Sequence, residues 1–348
     1  MTLFTANRLY SQNYIQIKRG ENNITFAFII CTIFALWIGM RPNHFIFGDT
    51  YFYTHTYNLM KYNIGGSYEE SSEWIWNNLS YACSQIMDVS YYFTIIAIGY
   101  FGFTLIACRI LTKNNVIISL LFIFGAFSFF SYGTNGIRNG LACSIALSAI
   151  ALCAYSRKDL IFAIVLAFIA INIHRSTVLP IASLFASIYI VKQFKWAYTF
   201  WILSIFISLV AGGTVTAAFV SLGFDDRTSY LTTMDDGMFS HTGFRWDFLI
   251  YSMMPIVLGY YVVIKRGIQD RTYIILLNTY TLANAFWVMV IRANYSNRFA
   301  YLSWFMYPIV LAYPLLQLNI WGQEQGKRAS QIMLAHIGFT WFMETFYW

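Results

Sequence analysis

The stretch Ser131–Leu152, SYGTNGIRNGLACSIALSAIAL, carries a single charge in twenty-two residues, Arg138, and that charge stands at the head of the run rather than inside it. A run of this length reads as a helix that crosses a bilayer, because a hydrocarbon core of about 30 Å takes about 20 residues at 1.5 Å each. An arginine at the centre of such a helix costs a few kcal/mol, and less near the interface, so a cation at the end reads as facing a polar cavity. In the first turn its charge adds to the positive end of the helix dipole. That placement is slightly unfavourable for stability and favourable for holding an anion. Glycines at 133, 136 and 140 permit close approach of a ligand or a neighbouring helix, and helix packing alone explains Gly140 equally well.

The rest of the chain has the same character. Of its 348 residues 58% are apolar, 20% aromatic and 11% charged, with a mean hydropathy of +0.55, which lies outside the range of a soluble domain. Apolar segments at 23–40, 90–108, 116–132, 138–155, 159–173, 176–191, 196–213, 246–264, 272–291, 299–317 and 329–346 read as spans. The expected fold class is all-α, a polytopic integral membrane protein with about 11 transmembrane helices in a single transmembrane domain over residues 1–348. Two larger extracytoplasmic loops are expected at about 41–89 and 214–246. The first span has no small-residue cleavage site after it and reads as a retained anchor.

Counting alternate loops from Lys18 and Arg19 leaves fourteen lysines and arginines on the cytoplasmic side and eight outside, which places the N terminus in the cytoplasm. The net charge of +7 is mostly this bias, and no basic patch is interleaved for nucleic acid. All lysines but Lys61 fall inside, whereas the other seven outer cations are arginines. Either residue satisfies a topology signal, so the preference asks for a planar fork that grips phosphate or carboxylate at two points. The competing explanation is pairing with outer acids such as Asp49, Asp225, Asp226, Asp235, Asp236 and Asp247. Arg138, Arg175, Arg292 and Arg298 stand at or inside the membrane ends of helices and are the leading anion ligands, with Arg245 and Arg41 as further members of the set.

Other chemistry is sparse. Five cysteines are scattered without metal or redox spacing, the histidines form no HExxH or HxH pattern, and Asp235-Asp236-Gly237 lacks the spacing of a calcium loop, so no metal or cofactor is expected. Tyr51, Tyr53, Tyr57 and Trp76 read as an interfacial aromatic belt or as platforms for sugar rings. A candidate general base is His174, beside Arg175 at the outer face, and its rival is Asp49, whose other role would be to orient an arginine.

Four segments resemble motifs of the EpsG family. IGMRPNHFIFGDTYFY, residues 38–53, is similar to its Gly-Leu-Arg and Gly-Thr-Asp-Tyr stretch; GTNGIRNGLACSIAL, 133–147, to its Ile-Arg-Gln-Gly-Leu-Ala segment. INIHRSTVLP, 171–180, resembles its His-x-Ser-x-x-x-x-Pro step, and SNRFAYLSW, 296–304, its Arg-Phe-x-x-Tyr motif. Asn139 stands where glutamine is more usual, and Gly48-Asp49-Thr50-Tyr51 exchanges the order of the acid and the threonine. The resemblance implies a Wzy-type polymerase of O-antigen, capsule or exopolysaccharide in the bacterial inner membrane, with its active site facing outward. Its substrates would be undecaprenyl-pyrophosphate-linked glycans as donor and acceptor, joined without a metal, and a chain-length regulator and a flippase would be its partners. Other enzymes compatible with the residues are a glycosyltransferase fed by a polyprenyl-phosphate sugar, with Asp49 as base, and a membrane O-acyltransferase. A transporter of lipid-linked oligosaccharide is disfavoured, because the spans are almost free of mid-membrane charge and the polar groups gather at one face.

Overall fold

The computed structural model describes residues 1–20, 23–64, 73–156, 158–221, 243–292 and 296–347, and among these the regular structure is helical, with no strand. Asp225, Asp226, Arg227, Asp235 and Asp236 lie outside the described residues. In chain order the helices are α1 (Thr2–Tyr10), α2 (Tyr14–Arg19), α3 (Ile24–Gly39), α4 (Thr50–Lys61), α5 (Trp74–Ile86) and α6 (Val89–Thr112). Then follow α7 (Val116–Phe124), α8 (Phe127–Thr134), α9 (Ile137–Tyr155), α10 (Leu160–Ile173), α11 (Val178–Tyr189) and α12 (Phe194–Ser221). The last are α13 (Trp246–Gly259), α14 (Arg271–Met289), α15 (Ser296–Trp304), α16 (Tyr307–Gln317) and α17 (Gln325–Phe342). They form two compact units, Met1–Arg175 with Leu315–Trp348, and Ser176–Pro314.

Among the described residues five stretches are long and apolar enough to cross a membrane: Val89–Phe124, Ile137–Tyr155, Phe194–Val215, Trp246–Lys265 and Arg298–Gln317; Ile24–Gly39 and Leu160–Ile173 are shorter apolar helices. The chain is membrane-integral. On α10 the side chains of Ile161, Phe162, Ile164 and Phe168 are exposed, an arrangement that lipid rewards and water does not.

In the first unit α9 is the core helix, packed between α6 and α10. Its apolar window is 78% buried, against 50% for Val89–Phe124, as expected of a helix that is apolar on every side. In the second unit α14 plays this part against α11, α12 and α15. Its core is polar but uncharged: Asn284 accepts from Trp201 Nε1 at 2.8 Å and donates to Ser303 Oγ at 3.1 Å, and Asn278 donates to the Val191 carbonyl at 2.7 Å. Such bonds hold membrane helices together where apolar packing has no advantage over lipid.

Two of the expected spans are interrupted. The 116–132 segment breaks between α7 and α8, where Ala126 turns extended and Gly125 lies against Ile337 of α17. The 299–317 segment breaks at Phe305–Met306 between α15 and α16. Hydropathy does not register such breaks, because apolar residues continue through them.

Of the three glycines in the opening stretch, Gly140 is the one packing requires. A Cβ there would collide with the Tyr132 carbonyl of α8, whereas at Gly136 the nearest atom, Tyr132 Cδ1, stands 3.8 Å away in ordinary contact. Gly140→Ala is therefore expected to cost about 1–3 kcal/mol by overpacking and to lower the melting temperature in detergent by several degrees. Gly136→Ala should leave it unchanged, which a thermal scan of the two variants checks.

Candidate functional site

The turn between α8 and α9 organises the polar end of the first unit. The N–H groups of Asn135 and Gly136 both donate to the Ser131 carbonyl, at 2.8 and 3.0 Å, closing α8, and α9 begins at Ile137. The Thr134 carbonyl accepts from Arg41 Nη2 at 2.8 Å and from Thr50 Oγ1 at 2.7 Å. Asn135 Oδ1 accepts from the Asp49 N–H at 2.8 Å. Gly48, at φ +60°, has no Cβ to obstruct Asn135, so the segment before α4 closes onto the turn. Arg138 follows in the first turn of α9.

Arg138 meets an acid that the sequence reading passed over. Glu73, the residue before α5, takes Arg138 Nη1 on Oε2, while its Oε1 accepts from His174 Nδ1 at 2.8 Å and from the Arg175 N–H at 3.0 Å. The side chains of Glu73, Arg138 and His174 are 13%, 19% and 12% exposed, largely buried yet open to a ligand. Burial alone would raise the Glu73 pKa. The His174 hydrogen bond, the Arg138 charge and the Arg175 N–H outweigh it and hold the carboxyl below the usual glutamate range. The Glu73 contact occupies one Arg138 nitrogen, and the other guanidinium donors have no acceptor among the described residues. The exposed Arg175 side chain makes no ion pair among the described residues. With Nδ1 donating to the carboxylate, the ring's basic electron pair lies on Nε2.

Arg41 has a different setting. It is 6% exposed, donates to the Ile38 carbonyl at 2.9 Å and to Thr50 Oγ1 at 2.9 Å, and stands 4.9 Å from the centre of the Phe93 ring. Burial lowers its pKa to about 10, so it remains a cation at neutral pH; its Nε is buried without a hydrogen-bond partner among the described residues. These contacts make Arg41 a strut between the end of α3, the start of α4 and the turn before α9. The carboxylate of Asp49, half-buried, makes no hydrogen bond or ion pair among the described residues.

The remaining arginines belong to the second unit. Arg245 is bound to Asp247 by two parallel bonds, Nε–Oδ1 at 3.0 Å and Nη2–Oδ2 at 2.6 Å, and lies 3.8 Å over the Phe248 ring; this is the pairing with an outer acid that the sequence left open. Arg292 is exposed, donates to the Leu209 carbonyl at 3.4 Å and stands 5.9 Å from the Phe244 ring. Arg298, near the start of α15, is exposed. Thus Arg138, His174 and the Arg175 backbone meet at Glu73, Asp49 and Arg41 meet the turn that precedes them, and Arg245, Arg292 and Arg298 are placed in a separate unit. The aromatic residues also divide: Tyr57 and Trp76 are buried against Tyr92, and Tyr51 is exposed.

Glu73 left a faint trace in the sequence. It is the acid at the head of SSEWIW, Ser71–Trp76, directly before a helix whose buried face is marked by Trp76, Ser80, Cys83 and Ser84. Among the described residues no group of three or more histidines, cysteines or acids stands close enough to hold a metal.

Among the described residues the chain is all-helical, with a cationic, histidine-bearing cluster at the end of the core helix of its first unit. The family model of the EpsG family matches residues 24–342, and the chain belongs to that Wzy-type polymerase-like family. No curated protein and no solved structure gives a significant match.

The depressed pKa of Glu73 has a consequence for stability. Its folded value lies below the unfolded one, so its contribution is complete above the ordinary glutamate value near 4.5 and is lost as the pH falls through the lower folded value. Melting curves from pH 7 to below 4.5 should show wild type losing stability on this acid limb. Glu73→Gln should be less stable at pH 7, because the Arg138 charge loses its partner, and the difference should shrink on acidification.

Proposed function

We propose that the chain is a polysaccharide polymerase, a membrane glycosyltransferase that joins undecaprenyl-pyrophosphate-linked repeat units at the outer face of a bacterial inner membrane. The observation that carries this reading is the convergence of Arg138, His174 and Arg175 on the Glu73 carboxylate. In the reaction, a hydroxyl of the acceptor sugar attacks the anomeric carbon of the growing glycan. The bond from that carbon to the carrier diphosphate breaks, and the hydroxyl proton passes to a base. His174 Nε2 is that base, with Nδ1 held by Glu73, which also stabilises the imidazolium that forms. Arg138 and Arg175 receive the departing diphosphate, where each such donor is typically worth ~2–4 kcal/mol of the barrier.

Arg292 and Arg298 are candidate anion ligands of the second unit, on their charge and exposure. Arg41 and Arg245 are assigned to scaffolding, on the hydrogen bonds and the ion pair they already make. Asp49 is the second candidate base, supported by its uncommitted carboxylate, and in that role it would suit a polyprenyl-phosphate-sugar donor.

The test uses purified full-length protein in detergent with an undecaprenyl-pyrophosphate-linked repeat unit. A ladder of products on a gel and release of the carrier diphosphate are expected from wild type. His174→Ala should lower the rate by roughly 10²–10⁴-fold, the usual contribution of a general base, and Arg138→Ala by about 10²–10³-fold. Asp49→Asn should keep most of the activity. Long surface polysaccharide persisting in cells that carry either alanine variant at normal membrane levels would refute the assignment; loss in Asp49→Asn with activity kept in His174→Ala would move the base to Asp49.

A further inference from the structure

The first unit holds a cavity of about 490 Å³ at the end of α3 away from Arg41. Asn23 precedes that helix and Arg41 follows it, which sets the two regions roughly 24 Å apart at 1.5 Å per residue. One wall is polar, with Arg8, Gln12, Gln16, Arg19 and Asn114; the other is apolar, with Phe4, Leu9, Phe26, Ile117 and Ile118. Phe26 lies in the first turn of α3, and Ile117 and Ile118 in the first turn of α7. The cavity therefore straddles the level at which two apolar helices begin, where a bilayer changes from headgroup to hydrocarbon.

Its walls are fixed by the fold. The helix α1 packs on α17, where the Gly326 N–H donates to the Gln12 carbonyl at 3.0 Å and a Cβ on Gly326 would collide with the Leu9 and Gln12 carbonyls. The helix α2 is tied to the turn before α7 by Asn114 Nδ2 on the Arg19 carbonyl and Asn115 Nδ2 on the Ile17 carbonyl, each at 2.9 Å. Gly20, at φ +52°, allows that approach. Arg8 and Arg19 are exposed, and among the described residues no acidic side chain lines the cavity and Arg19 makes no ion pair.

The geometry points to a binding site for an anionic glycerophospholipid, its phosphate on Arg8 and Arg19, its glycerol oxygens on the Gln16 and Asn114 amides, and its acyl chains over Phe26, Ile117 and Ile118. A free phosphate would share the arginines but leave the apolar wall unused, and a zwitterionic lipid would bring a cation against them. This site does not depend on the polymerase reading.

Native mass spectrometry of the full chain in detergent tests it, with phosphatidylglycerol, phosphatidylcholine and inorganic phosphate as probes. One phosphatidylglycerol should be retained roughly tenfold more strongly than phosphatidylcholine, and excess inorganic phosphate should not displace it. Arg19→Ala should weaken retention by roughly tenfold, Arg19→Lys should restore most of it, and Lys18→Ala, outside the cavity, should leave it within about twofold. Equal retention of the two lipids by wild type would overturn the proposal without recourse to any variant. Displacement by inorganic phosphate would overturn it in favour of a soluble anion.

Discussion

One largely buried carboxylate holds the polar end of the first unit together. Glu73 accepts from a guanidinium on α9, an imidazole at the end of α10 and the backbone N–H that follows it. In a largely buried site the Glu73 carboxylate and the Arg138 guanidinium would each be costly alone, and removing one leaves the other uncompensated. The same contacts that stabilise the cluster also fix which imidazole nitrogen is basic. The Glu73 carboxylate also offsets the cost of placing Arg138 at the positive end of a helix. Stability and chemistry thus rest on one group.

The turn before α9 acts as a second tie. Its Thr134 carbonyl and Asn135 amide are taken by Arg41, Thr50 and Asp49. The 41–89 segment therefore closes on positions 134–138 at two places, residues 41–50 through hydrogen bonds and Glu73 through an ion pair. Position 50 faces Arg41, and its threonine hydroxyl bridges that guanidinium to the Thr134 carbonyl, while Asp49 meets the turn through its backbone N–H.

The arginines that look alike in the sequence do different work. Arg41 is enclosed by carbonyls and an aromatic face, Arg245 is neutralised by Asp247 over Phe248, and Arg138 shares its acid with a histidine. A guanidinium offers five donors in a rigid fork, and how many of these the protein already uses separates a strut from a ligand. Arg138 and Arg175 keep donors uncommitted among the described residues, and Arg41 and Arg245 are largely spent.

The amino-acid sequence by itself determined that the chain is helical and embedded in a membrane, that α9 is a long apolar helix with a cation in its first turn, and that His174-Arg175 stands at the end of another. These are properties of contiguous residues, and hydropathy, helix length and charge position are all local. The tertiary structure alone decided that Glu73 gathers them, that Arg41 and Arg245 are held by other groups, and that two expected spans break midway. The Glu73 contacts join residues 65 and 101 positions apart. A carboxylate at the head of a helix carries no mark of the distant donor it will meet, because that meeting is set by how helices pack and not by the composition of either partner.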